Sequence, residues 1–179
     1  MSTDLVIVGI IKVGFAVILG VLGAALGAVV VLRAIGLRGV TEQIKQANLA
    51  VALLLCSSTA AMGIMLNRSA TATFTALDLL VRGGESFPWQ TVLLYAAGHL
   101  LIALSTGIAV IAVGVRTFMR LTRGIDELRE IRDGNMAPAL MIAVLIVVVA
   151  VLVSPGLQTL LDGILPLPEL GRGISISHS

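Results

Sequence analysis

Polar residues fall in clumps along this chain, and the stretches between the clumps carry almost no charge. Runs nearly free of acids and bases lie between Asp4 and Arg33 (broken by Lys12), Lys45 and Arg68, Glu85 and Arg116, and Asp133 and Asp162. A helix needs about 20 apolar residues to cross a hydrocarbon layer of roughly 30 Å, so the pattern predicts four crossings. They fall at about Leu5 to Leu32, Leu49 to Leu66, Thr91 to Val115 and Pro138 to Val153. The short alternating strands and aromatic girdles of a closed barrel are missing. The fold class is therefore an all-α membrane protein with four transmembrane helices. The first run reads as a helix and not as a cleaved signal, because Asp4 stands where a signal carries a basic region and the apolar stretch is too long.

Composition agrees. The chain is 58% hydrophobic and 12% charged, with a mean hydropathy of +1.07, against about 25% charged in soluble domains. A net charge of +2 is too small an excess for a nucleic-acid surface. Cys56 is the one cysteine, so no intramolecular disulfide forms. Eight of the 12 basic residues, namely Arg33, Arg38, Lys45, Arg116, Arg120, Arg123, Arg129 and Arg132, flank the bends after the first and third crossings. Short cytoplasmic loops retain Lys and Arg, which places these bends in the cytoplasm and both termini outside. The aromatics Phe87, Trp89 and Tyr95 then suit the outer interface.

Shifting the chain by 87 residues without a gap lays Arg33 on Arg120, Asn48 on Asn135, Gly20 on Gly107, Gly27 on Gly114 and Ile44 on Ile131. Ala50, Ala52 and Leu53 fall on Ala137, Ala139 and Leu140. Because the shift keeps the direction of crossing, the prediction is two tandem parallel-repeat helical hairpins. Residues 1–66 form the first hairpin, 67–90 an outer connecting segment, 91–153 the second hairpin, and 154–179 an outer interfacial segment with a flexible tail. Short surface-lying pieces are expected at Thr71 to Arg82, with Phe74, Leu77, Leu80 and Val81 on the apolar side, and, after Pro155, at Leu157 to Ile164.

The patterns Asn48-Leu49-Ala50-Val51-Ala52-Leu53 and Gly134-Asn135-Met136-Ala137-Pro138-Ala139-Leu140 each open an even-numbered helix. In this setting the chain resembles the bacterial inner-membrane family catalogued as domain of unknown function 350, over roughly Leu5 to Val153. The resemblance implies the four-helix architecture and a bacterial plasma-membrane address. It brings no established reaction, and such proteins are often encoded beside phage-shock-protein-A-like membrane-remodelling proteins. Ala47 and Val51 stand where the second copy has Gly134 and Pro138, which leaves open whether the chain breaks before Asn48 as it does before Asn135.

Lys12 and His99 interrupt apolar runs at matching positions of the two copies. Lys12, Ala16, Gly20, Gly23 and Gly27 share one helical face, as do His99, Ala103, Gly107 and Gly114. Small residues on such a stripe let helices approach closely, so these are the expected packing faces. An ionisable group in hydrocarbon costs about 2.5 to 3.5 kcal/mol on insertion scales and turns toward protein or water. Lys12, His99, Asn48 and Asn135 are accordingly the candidates for a polar path. The plainer readings are that Lys12 snorkels, that His99 is a packing residue, and that the asparagines cap or bond between helices, Asn135 capping the fourth with Pro138 in its first turn. No acid falls inside the helices as drawn, which removes the usual partner of a proton relay.

Ser57, Ser58, Thr59, Ser105 and Thr106 are expected to bond between helices. Gly124 to Asp133 reads as a short amphipathic helix with an Asp126–Arg129 pair. Arg33, Arg38, Arg120, Arg123, Arg129 and Arg132 are the candidates for binding a cytoplasmic partner or anionic lipid. No nucleophile-and-base pair, metal-ligand spacing or phosphate loop is present, so neither an enzyme nor a cofactor is expected. The resulting expectation is a self-associating inner-membrane scaffold or envelope-maintenance protein, with a small oligomeric channel or transporter as the alternative.

Overall fold

A computed structural model describes residues 3–37, 42, 45–82, 89–122 and 126–164. Among them the chain forms α1 (Thr3–Ala34), α2 (Leu49–Arg82), α3 (Trp89–Leu121), the short α4 (Glu127–Arg132) and α5 (Met136–Ile164), with no strand. Four helices contain apolar stretches of 28 to 30 residues, long enough to cross a bilayer. Ile10, Val13, Val21, Leu94, Leu101 and Leu152 are all more than 60% exposed, on outward faces that in lipid meet acyl chains.

Three helices run well past the apolar pattern, α3 continuing from the expected Val115 to Leu121. The crossing expected to stop at Leu66 continues to Arg82, so Thr71 to Arg82 belongs to α2 and does not lie flat. Nothing breaks it: Ala70, Ala72 and Ala76 favour helix and are buried, and the first glycines come only at Gly83 and Gly84. Likewise α5 passes through Pro155 to Ile164. Pro155 removes one backbone donor, but Leu157 and Leu161 beyond it are 2% and 0% exposed, so burial carries the helix on. The segment from Leu165 to Ser179 lies outside the described residues.

Helix α2 is the hub. It packs against α1, α3 and α5, and α3 also meets α5 and, more lightly, α1; α1 and α5 scarcely touch. Close approach depends on glycine. A Cβ on Gly27 would sit 2.9 Å from the Ser58 carbonyl oxygen, and one on Gly23 would sit 2.5 Å from Leu66 Cδ1. Across α2, a Cβ on Gly107 would collide with Met62 Sδ. Met62, fully buried, is thus wedged between Gly27 of α1 and Gly107 of α3. Gly114 meets α5, where a Cβ would lie 2.8 Å from Ile146 Cγ1, and Ala103 is fully buried. Ala16 and Gly20 depart from the expected packing role: both are exposed, and Gly20 has nothing within 4 Å of its Cβ position. Past Gly23 the α1–α2 contact opens into a groove of about 170 Å³ lined by Ala16, Leu19, Gly20, Gly63, Leu66, Asn67 and Ala70.

Helix ends recur at an offset of 87 residues: α1 and α3 end at Ala34 and Leu121, and α2 and α5 begin at Leu49 and Met136. Local bonds recur too. Ile35 N–H donates to the Val31 carbonyl at 3.0 Å and Thr122 N–H to that of Phe118 at 3.2 Å. Gln46 N–H donates to Glu42 at 3.0 Å and Asp133 N–H to Arg129 at 2.8 Å. The chain also breaks before both asparagines, with Ala47 at φ +51° and Gly134 at φ +92°. An alanine in the left-handed region costs roughly 1–2 kcal/mol, so the first break is held against the residue's own preference.

Gly27→Ala should lower the thermal midpoint in detergent, costing about 1–3 kcal/mol, because the new methyl meets backbone that cannot swing aside. Gly20→Ala, made into open space, should leave the midpoint unchanged or slightly raised. Equal losses at the two sites would contradict this packing.

Candidate functional site

Polar side chains gather at two levels, one near each end of α2. The first level lies toward the start of α1 and the end of α2. Lys12 Nζ donates to both carboxylate oxygens of Asp78, at 2.7 and 2.8 Å. The ammonium lies 5.5 Å from the Phe74 ring centre, and Phe74 meets Phe15 edge-on at 5.9 Å. Asp78 is the acidic partner that the sequence pattern left out, because it falls on the extension of α2. Opposite, His99 is 1% exposed, with Nδ1 3.2 Å from the Thr73 hydroxyl and the ring 6.0 Å from that of Tyr95. Its Nε2 is buried without a hydrogen-bond partner. Deeper in, Arg68 Nε donates to Ser154 Oγ at 2.6 Å, joining α2 to α5.

At the other end, both asparagines cap helices. Asn48 Oδ1 accepts from Val51 N–H at 3.1 Å, while its amide nitrogen donates to the carbonyls of Ile131 and Arg132 at 3.2 and 3.0 Å. One side chain thereby starts α2 and ties it to α4. Asn135 Oδ1 accepts from Ala137 N–H at 3.0 Å and its amide donates to Glu130 at 2.9 Å. Between the two caps lies an open pocket of about 300 Å³ lined by Gln46, Ala47, Asn48, Leu49, Arg132, Asp133, Gly134 and Met136. Asp126 does not pair with the Arg129 guanidinium; its carboxylate caps α4, accepting from Arg129 N–H at 3.1 Å. On α4 Ile131 is fully buried, whereas Arg129 and Arg132 are exposed, as are Arg33 and Arg120. Arg38 and Arg123 lie outside the described residues. Glu127 is 5% exposed and its Oε1 has no partner.

The four path candidates are therefore not brought together. Thirty residues of α2 separate Asn48 from Asp78, roughly 45 Å at 1.5 Å per residue. Between the two levels the interior is filled by Leu54, Met62, Met65, Ile111, Ile142 and Ile146, all fully buried. The small hydroxyls turn inward on their own helices and do not bridge between them: Ser57 bonds the Leu54 carbonyl at 3.0 Å, Ser58 that of Leu55 at 3.0 Å and Thr106 that of Ile102 at 2.8 Å. Such back-bonding satisfies a hydroxyl where no water is at hand. Among the described residues no group of three or more His, Cys, Asp or Glu side chains is placed to hold a metal ion. Sequence reasoning missed Asp78, Thr73, Arg68 and Ser154. The signal that could have found the first three was the breaker-free, alanine-rich run up to Gly83.

Long apolar helices joined by glycine-dependent contacts define an all-helical membrane protein of four spans. The chain belongs to the family described as Domain of Unknown Function (DUF350), whose model matches residues 4–157. No curated protein and no solved structure matches it.

Neutralising one member of the Lys12–Asp78 pair should strand the other in a partly apolar setting. Lys12→Met or Asp78→Asn alone should each cost about 1–3 kcal/mol in a detergent melt, while the double variant recovers part of the loss. Strictly additive losses would show that the pair does not interact.

Proposed function

We propose that this is a non-enzymatic, self-associating bacterial inner-membrane protein that acts as a scaffold in envelope maintenance. Its two hairpins are taken as tandem repeats, a reading supported by the recurring helix ends, caps and backbone bonds. The observation that carries self-association is the α1–α2 groove. Ala16, Gly20 and Gly63 leave it unfilled, and Asn67 offers an exposed amide beside them. In lipid, where no hydrophobic force drives helices together, such a recess and a polar group favour a second helix. Both termini are placed outside and the arginine-bearing bends inside, on the count of basic residues. Arg33, Arg38, Arg120, Arg123, Arg129 and Arg132 then offer a cationic face to a membrane-remodelling partner or to anionic lipid, each worth about 1 kcal/mol near such a surface. No cofactor is assigned. The alternative, a small oligomeric channel or transporter using Lys12, His99, Asn48 and Asn135, would need subunits to supply the polar line that the apolar interior of one chain lacks.

Gly20→Leu with Gly63→Leu fills the groove without touching the internal packing. In liposomes at low protein-to-lipid ratio it should reduce self-association by about tenfold or more with an unchanged melt. A wild-type chain that stays monomeric at every ratio would defeat the proposal, and ion flux abolished by Lys12→Ala would favour the channel. Orientation is read separately. In a Cys56→Ser background, an impermeant maleimide on intact cells should label Ser2→Cys and spare Gly124→Cys; the reverse pattern inverts the topology.

A further inference from the structure

The 87-residue recurrence pairs positions of one hairpin with positions of the other, and the paired surfaces are not used alike. On the second hairpin, Ala103 and Gly107 of α3 and Ala150 and Ser154 of α5 are all buried. Helix α2 covers this surface: Met62 and Met65 meet Gly107, where a Cβ would sit 3.6 Å from Met65 Cγ, and Arg68 donates to Ser154 Oγ at 2.6 Å. The counterparts on the first hairpin are Ala16, Gly20, Gly63 and Asn67, and all four are exposed in the α1–α2 groove. The covering face shows the reverse. Ala61 and Met65 of α2 are fully buried, while their counterparts on α5, Val148 and Leu152, are 45% and 74% exposed. Arg68 is partly buried and its counterpart Pro155 is exposed. One chain thus contains one made junction, between its hairpins, and the two unused halves of another.

We propose that a second copy of this chain fills the groove head to tail: α5 of one copy lies in the α1–α2 groove of the next, with Leu152 seated at Gly20 as Met65 is seated at Gly107. This contact rests on the self-association proposed above and names the two faces that meet. The depths agree, since Gly20 and Gly107 stand 14 residues before the ends of α1 and α3, and Met65 and Leu152 stand 16 after the starts of α2 and α5. The shapes agree as well, because the groove lacks side chains where α5 presents branched aliphatic ones. Two grooves set face to face would leave both unfilled. A polar pair is also at hand. Pro155 has no N–H for the Val151 carbonyl four residues back, and Val151 is 54% exposed, so in lipid that oxygen needs a donor from outside its own helix. Asn67, in the place of Ser154, offers an exposed amide. Because two different faces meet, each copy keeps one face free and the contact propagates into a ring or a row. Parallel repeats are related by an axis along the membrane normal, so every copy added this way keeps the same orientation in the bilayer.

The test is cysteine cross-linking of the full chain in liposomes, in a Cys56→Ser background, beside energy transfer between copies labelled at Ser2→Cys, which reads association independently. Gly20 and Leu152 both face outward, so changes there leave the internal packing alone, and a melt checks that each variant folds. Mixed in equal amounts, Gly20→Cys and Leu152→Cys copies should cross-link to each other about tenfold more than either does to itself. A chain carrying both cysteines should give products beyond the dimer. Gly20→Leu with Gly63→Leu, whose groove is filled while its α5 face is intact, should still transfer energy to a wild-type copy but not to its own kind. Energy transfer between wild-type copies, with Gly20→Cys copies cross-linking only to one another, would overturn the head-to-tail contact and leave self-association standing. Wild-type copies that show no energy transfer at any protein-to-lipid ratio would overturn both.

Discussion

The bundle depends on one steric arrangement: α2 is held against its neighbours at positions where they have no side chain. In lipid, apolar surface gains nothing by turning inward, so helix association rests on close van der Waals contact and a few polar bonds. Gly27 lets the backbone of α1 reach that of α2 at Ser58, and Gly107 makes the space that Met62 fills from the other side. With α2 so placed, α5 closes against it and against Gly114 of α3. The outward faces are left to aliphatic residues that need no partner but lipid.

The same solvent explains why the polar groups are so fully used. A hydroxyl or amide without water must find its partner inside the protein. Ser57 and Ser58 bond their own helix, Asn48 and Asn135 cap helices that start side by side, and Lys12 reaches Asp78 across the α1–α2 contact. Against that background four buried atoms without a hydrogen-bond partner stand out among the described residues: Ser69 Oγ, His99 Nε2, Gln158 Oε1 and, on the loop helix, Glu127 Oε1. The unfilled groove beside Gly20 stands out for the complementary reason, as a recess on an outward face.

The groove is open on an outward face of the bundle, beside Gly20 and Gly63. Within a single chain an apolar layer, filled by Leu54, Met62, Met65, Ile111, Ile142 and Ile146, separates the two polar levels.

How much was legible in advance follows from the range of each interaction. Four crossings, their order and the Asn135 cap could be read from the chain, because hydropathy and capping act within a few residues. So could the glycines that pack, but only as a stripe. Which members of the stripe meet a neighbour depends on how far α1 and α2 run together, and there Gly23 and Gly27 differ from Ala16 and Gly20. The extension of α2 to Arg82 was hidden by its polar threonines, whose hydroxyls return to the helix backbone. With it was hidden Asp78, sixty-six residues from Lys12. The contact of His99 with Thr73 was likewise set only by packing, since Thr73 lies on the extension of α2.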